Sequence, residues 1–485
     1  MATPIPENVA PFTVQEIVTA TAGTLRPGST EGSVAGVTTD SRTNVAGKLF
    51  VALVGETFDG HRFAGDAVRA GAAALLVRKG VPVDVPPGVP VVEVADTLVG
   101  LGALARLHRK RWGGTVVGVA GSAGKTTTRS AVAAALEGVC PGEVHSVPGN
   151  LNNRIGVPMV LLTLTQASTV SVVEIGTNVR GEVKLLTAIA LPNIGVLTLV
   201  DVEHAEGLGT IDSIEEEEGD LLRGLPKNGT AIANGDDERA ARQLARAPCR
   251  KKLTYGTRGT ADYRILRRES LGLGGSRIVL ERPRGRGRDT ISLDAPLLGM
   301  PGALAIAAAT AVADRVAGRN GALADRLTQA FGSGKLGEPG RLRPVLLSDR
   351  TVVLDDSYNA NPASVRAAVA TAREIADDRN ARLVLVLGEM RELGTESALE
   401  HDAVGRDLGA SGAAALIAVA GEAKRFATQA ASSGVDATFA PDSEHAVELV
   451  LSRVKPGDVV LVKASRGVHA ERVVEGLIRA KGRAA

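Results

Sequence analysis

The chain has 485 residues, 44% of them hydrophobic, and a formal net charge of +2. That length exceeds a single core and sets two to four domains as the expectation, while so small a net charge gives no sign of a polyanionic partner. Cys140 and Cys249 are the only cysteines, which excludes a disulfide framework and a cysteine-based zinc cluster.

No apolar run approaches the ~18 residues of a membrane span. The start, MATPIPENVAPFTVQE, has neither the basic cluster nor the apolar stretch of a signal peptide. A cytoplasmic protein is expected, with no membrane insertion and no nucleic-acid partner. To about residue 95, β-branched runs at Val34–Thr38, Leu49–Leu53 and Ala73–Val77 alternate with glycine-rich turns, which predicts a small N-terminal α/β domain, residues 1–95. A helix over Thr97–Arg109 leads into a second block, 96–334. There the strands Thr115–Ala120, Ser171–Ile175 and Ile194–Leu199 alternate with helical patterns, as in a mostly parallel sheet covered by helices.

Residues 250–297 switch to an antiparallel excursion, within which the basic RPRGRGR (282–288) reads as a solvated hairpin tip. Ala-rich helices over Gly302–Val316 and Gly321–Phe331 close the block, and GSGKLGEPG (332–340) is the linker. The third block, 335–485, repeats strand and helix with strands at Val352–Leu354, Leu383–Leu387, Leu416–Ala420 and Val459–Val462. That is the pattern of a doubly wound, Rossmann-like domain. The fold class expected is therefore α/β in three domains. A central P-loop ATPase domain with a parallel sheet is flanked by the small N-terminal domain and the Rossmann-like one.

The sharpest chemical signal is GVAGSAGKTTT (118–128). An apolar strand runs into Gly121, Ser122, Ala123 and Gly124, and a helix follows. Glycines turn backbone N–H groups toward an anion, the helix N-terminus adds partial positive charge, and Lys125 adds a full one. Thr126 is placed to offer its hydroxyl to Mg²⁺. The spacing is GxxGKT, shorter than the full Walker pattern. Glu174 and His204 stand at the ends of the next two strands, where ligands gather in parallel sheets, and are the candidate metal partners.

With that loop come GNLNNRIGVP (149–158), VVEIGTN (172–178), HAEGLGT (204–210), GRLR (340–343), DDSYNANP (355–362), LGEMRELG (387–394) and LVKASRG (461–467). In this order, and with DSR (40–42) and GKLFVALVGETFDGH (47–61) before them, the chain resembles the Mur ligases over nearly its whole length. It is most similar to the subgroup that joins D-Ala-D-Ala to UDP-MurNAc-tripeptide; the DNP triplet of the diaminopimelate-adding sibling does not occur. The resemblance implies a monomeric ligase that uses ATP and Mg²⁺ to make a peptide bond through an acyl phosphate. It assigns the ATP phosphates to Gly121–Thr126 with Thr127, and above all to Lys125. Mg²⁺ falls to Thr126, Glu174 and His204, phosphate to Arg341, and ribose to Asp356. Ser41 and Arg42 would hold the UDP moiety, although DSR also reads as a helix cap. Asn150 and Asn153 would contact the UDP-sugar peptide. Tyr358, Asn359 and Asn361 would line the dipeptide pocket, although Asn-rich turns also arise for backbone reasons.

Two departures from the family stand out. The family's carbamylated lysine, just before a G-[DE]-[IL] triplet, is replaced by Glu218 in IEEEEGDLL (214–222). Glu218 keeps the charge without the reach; a run of four glutamates is otherwise a solvated helix face. In GMPGALAIA (299–307), Pro301, Gly302 and Ala305 stand where the family has a His-Asn pair and a further Asn against adenine. A ligase with another acyl or amine substrate, and a binding relative with weakened catalysis, stay open as alternatives.

Overall fold

The structure is a computed structural model that describes residues 4–55, 57–318, 323–333 and 336–484. The chain folds into two compact units, one of residues 1–118, 142–176 and 182–194, the other of residues 119–141, 177–181 and 195–485.

In the first unit, strands in the order Thr24–Leu25, Val91–Val94, Ala74–Arg78, Leu49–Val51 and Val37–Thr38 form a sheet that is parallel except at its first pair. The β-branched runs are thus strands, but Val34–Thr38 is broken. Ser33–Ala35 pairs antiparallel with Pro11–Thr13, and only Val37–Thr38 joins the sheet. Gly36 between them has φ 125°, a conformation that glycine alone adopts easily. The helix Thr97–Trp112 is capped by Asp96 and stops at Gly113, in the left-handed region, a common helix ending.

In the second unit, strands Gly287–Ala295, Ser276–Arg284, Tyr263–Ser270, Lys251–Gly256, Thr230–Asn234 and Ile194–Leu197 follow one another across a sheet. The three spanning 263–295 pair antiparallel, as expected of the excursion. Lys251–Gly256, expected within it, instead pairs parallel with both of its neighbours and continues the parallel part of the sheet. Arg282, however, is not part of a solvated tip. It is 2% exposed and paired with Asp314 and Asp289, because residues 276–284 form a strand whose inward positions include it. Only the turn at Gly285 is hairpin tip.

The helix Gly299–Ala317 is, among the described residues, the one long and apolar enough to cross a membrane. No such run was expected from the sequence, since Asp314 and Arg315 interrupt it. Here its alanines are buried, and it packs on the helix Lys125–Glu137, whose small side chains allow close approach. The next helix is Ala324–Gly332. Residues 321–322 of the expected helix, and 334–335 of the expected linker, lie outside the described residues.

The third block has its own sheet, ordered Arg343–Leu346, Val352–Asp356, Val459–Lys463, Leu383–Gly388, Ala415–Val419 and Ala437–Ala440. It is parallel apart from the first strand. Both faces are buried, and its core also takes in Leu298, Val202 and Leu273 from the preceding segment. Through these residues the third block shares a core with the segment that precedes it, within one compact unit.

Candidate functional site

The strand Thr115–Ala120 delivers the chain to Gly121 (φ 129°), where a Cβ would lie 2.2 Å from the Thr198 hydroxyl. Gly124, at φ 80°, starts the helix Lys125–Glu137. Both positions need glycine: one for space, both for a backbone that L side chains resist. Thr198 hydrogen-bonds the carbonyls of Ala120 (3.2 Å) and Ala123 (2.6 Å), fixing the loop from below.

Two acids, Glu203 and Glu218, act on Lys125. Its ammonium donates to the Gly121 carbonyl at 2.6 Å and pairs with Glu203 at 3.1 Å. Glu218 is 2% exposed and accepts the Gly121 N–H at 2.7 Å. Burial pushes its carboxyl up to about 7, with Lys125 pulling the other way. The solvated-face reading of the glutamate run is therefore overturned for three of its members. The helix Ile211–Arg223 turns Glu215, Glu217 and Glu218 inward. Glu215 pairs with Arg242 and Glu217 accepts the Gly181 N–H at 2.6 Å; Glu216 alone is exposed.

His204 follows at φ 52°. Its Nδ1 bonds the Glu392 carboxylate, and its Nε2 lies 3.8 Å from Glu203. Burial disfavours the imidazolium, but Glu392 and Glu203 outweigh it and hold His204 above its ordinary pKa. Glu392 lies in LGEMRELG, a motif from which the sequence assigns no individual residue.

The third block reaches the loop at several points. Arg341 donates to the Thr126 hydroxyl at 3.2 Å and stacks over Tyr358, its guanidinium carbon 4.1 Å from the ring centroid. Arg466 bonds the Tyr358 hydroxyl at 3.3 Å. Asn359 donates to Glu203 at 3.2 Å. Asn361 donates to the Ser122 carbonyl at 3.2 Å while capping the helix Pro362–Asp378, so it combines the backbone role with a contact to the loop. Asp356 is buried, and the parallel register sets it opposite Lys463, 2.7 Å away. Burial holds the Asp356 carboxyl above its ordinary range although Lys463 opposes the rise.

A cavity of about 1100 Å³ opens between these parts. Gly124, Thr126, Thr127, Arg341, Asp356 and Lys463 line it at the phosphate-loop end. Pro301, Gly302 and Ala305 line it too, together with Asn234 and the Arg268–Glu374 ion pair.

In the first unit, Arg42 is exposed and doubly hydrogen-bonded to its own Asp40, at 2.9 and 2.8 Å. DSR is a turn built on Asp40, with Ser41 half-buried, and not a helix cap. Asn153 accepts the N–H groups of Ile155 and Gly156 in the turn that leads into the helix Gly156–Leu162. Glu174 is buried at its strand end and accepts from Asn152 at 2.7 Å. Asn152, the middle asparagine of GNLNNRIGVP, was not among the residues singled out from the sequence.

Among the described residues no three His, Cys, Asp or Glu side chains are grouped to hold a metal ion. The Thr126 hydroxyl and Glu174 carboxylate are hard oxygen donors of the kind Mg²⁺ takes, alongside phosphates and water. His204 is already held by Glu392. Glu203, Lys463 and Glu392 were likewise not singled out, although Glu203 directly precedes one of the sequence motifs and the other two, like Asn152, lie inside them.

Three family models match in series: Mur ligase family, catalytic domain, over residues 33–109; Mur ligase middle domain over 119–313; and Mur ligase, glutamate ligase domain, over 340–466. The UDP-N-acetylmuramoyl-tripeptide--D-alanyl-D-alanine ligase of Escherichia coli (strain K12) is 35% identical over 442 residues, covering 91% of this chain and 93% of that one. The enzyme of the same name from Bacillus subtilis (strain 168) is 30% identical, covering 96% and 98%. A crystal structure of MurF from Acinetobacter baumannii superposes with TM-score 0.84 at 27% identity, covering 98% of this chain and all of that one. MurF ligase from Thermotoga maritima in complex with ADP does so with TM-score 0.77 at 28% identity, covering 91% and 97%.

Proposed function

The chain belongs to the Mur ligase family, and from that premise we propose that it joins D-Ala-D-Ala to UDP-N-acetylmuramoyl-tripeptide with hydrolysis of ATP to ADP and phosphate. The observation that carries the reading is the convergence of Lys125, Thr126, Arg341, Asn359 and Asn361 around one phosphate loop beside a nucleotide-sized cavity.

The tripeptide's terminal carboxylate takes the γ-phosphoryl group of ATP, releasing ADP. The dipeptide's amine then attacks the acyl phosphate, forming the peptide bond and releasing phosphate. Phosphoryl transfer of this kind rests on positioning and charge neutralisation rather than on a protein nucleophile. Lys125 and the Gly121–Thr126 amides hold the β- and γ-phosphates, and Arg341 adds a second cation from the third block. Asp356 is assigned to the ribose; Lys463 fixes its orientation. Ser41, Arg42, Asn150 and Asn153 are assigned to the UDP-linked substrate, and Tyr358 and Asn359 to the dipeptide, with Asn361 behind them. Mg²⁺ is assigned to Thr126, Glu174 and His204, and would neutralise charge on the transferring phosphoryl group. The domains run 1–95, 96–334 and 335–485, and the protein works as a cytoplasmic monomer.

Phosphate release from ATP with UDP-MurNAc-tripeptide, with and without D-Ala-D-Ala, tests the assignment. Turnover requires both acceptor and donor. Equal release without the dipeptide, or a clear preference for a single amino acid, overturns it.

A further inference from the structure

Glu203 has no part in the function as proposed above, yet it is 7% exposed and stands at the centre of the site's polar contacts. A buried carboxylate persists only when it is paired and hydrogen-bonded. Each of its oxygens has a partner from a different part of the chain. Oε2 meets the phosphate-loop ammonium of Lys125 at 3.1 Å, and Oε1 accepts from Asn359 of the third block at 3.2 Å. Both partners are themselves anchored. Lys125 is tied to the Gly121 carbonyl at 2.6 Å, and the Asn359 carbonyl accepts from Lys463 at 2.9 Å. Lys463 is in turn fixed by Asp356.

We propose that Glu203 is a positioning residue that couples docking of the third block to the placement of the phosphate-loop lysine. The inference rests on the ligase reading above. One carboxylate spans the two sides: Asn359 orients it only when the third block is in place, and its other oxygen then holds the Lys125 side chain on the loop. The loop lysine is thus set where the third block's phosphate ligand, Arg341, also arrives, 3.2 Å from the Thr126 hydroxyl. Misplacing a charge by about 1 Å in such a site costs up to about 10²-fold in rate. The consequence belongs to the chemical step more than to nucleotide affinity, since the loop amides bind phosphate without Glu203.

The test is a double-mutant cycle on Glu203→Ala and Asn359→Ala, reading kcat and the KM for ATP in the phosphate-release assay. Each single variant is expected to lose about 10-fold or more in kcat, with the KM for ATP within about threefold of the unmutated protein. The double variant is expected within about threefold of the worse single, because the second change removes a contact already lost. Multiplicative losses, a kcat loss below about threefold in either single variant, or an effect confined to KM overturns the proposal. A purely structural Glu203 lowers melting temperature and active fraction and leaves kcat per folded molecule unchanged, which equally overturns it. If Glu203→Ala does not fold, Glu203→Gln, which keeps the shape and one acceptor oxygen, enters the same cycle under the same criteria. An unmutated protein with no turnover on the named substrates fails the ligase reading instead, which separates the two failures.

Discussion

Replacing Glu218 by Gln isolates one buried carboxyl beside the phosphate loop. Its pKa is raised from 4.5 to about 7, chiefly by burial, and at 1.36 kcal/mol per unit this amounts to about 3 kcal/mol. The folded protein holds the proton more tightly than the unfolded chain does. The carboxyl's contribution to stability is therefore fully present below pH 4.5 and is lost as pH rises through about 7. Glutamine mimics the protonated acid, keeps a carbonyl for the Gly121 N–H, and does not titrate. The stability gap, Glu218→Gln minus unmutated, should therefore widen by roughly 2–3 kcal/mol between pH 5 and pH 8 in favour of the variant. Urea denaturation of both proteins at pH 5, 6, 7 and 8 measures it. A multidomain chain does not unfold in one step, so the difference in midpoint at each pH is the quantity to follow. A gap that stays constant with pH means that Lys125 keeps Glu218 ionised throughout, and the reasoning from burial fails.

The phosphate loop was legible because strand, glycines, Lys125 and helix are contiguous, and the structure reproduces Thr115–Ala120 as a strand to the residue. The antiparallel excursion was legible from its period over 263–295, whereas Lys251–Gly256 pairs parallel with both neighbours. What escaped depends on inward direction and on register. The four glutamates at 215–218 look alike in sequence, and only the packing of the helix Ile211–Arg223 decides which three go inside. Arg282 belongs to a basic run, but the strand's alternation points it at Asp314. Lys463 meets Asp356 because two strands separated by about a hundred residues pair in parallel at that register, which no local pattern encodes. Two edge strands of the last sheet, Arg343–Leu346 and Ala437–Ala440, were missed because their outward positions lack an apolar run. Glu203 gives no local signal, because its partner Lys125 lies 78 residues away in the sequence.

Lys125→Ala should lower turnover by about 10²-fold or more, the scale of losing one transition-state charge stabiliser; a loss below about fivefold in folded protein means that GSAGKT is not the phosphate loop. Added bicarbonate should leave the unmutated rate unchanged, because Glu218 stands in place of a lysine that could be carbamylated; rescue by bicarbonate after CO₂ removal points to a modified lysine elsewhere. Lys463→Ala should cost about 3–5 kcal/mol in denaturation, since it strands the buried Asp356 charge; a cost under about 1 kcal/mol shows that Asp356 is already neutral. ATP and GTP should differ in kcat/KM by less than about 10²-fold, under roughly 3 kcal/mol. Sites reject an analogue strongly when the wrong group leaves their own buried polar atoms unpaired. Pro301, Gly302 and Ala305 line the cavity without a side-chain amide, and Arg268 and Glu374 satisfy each other, so a changed base strands little. The phosphate loop touches only the shared triphosphate and cannot discriminate. Both nucleotides are measured at saturating acceptor, and a preference above about a thousandfold shows that another residue reads the adenine, with Asn234 the first to replace because it lines the same cavity.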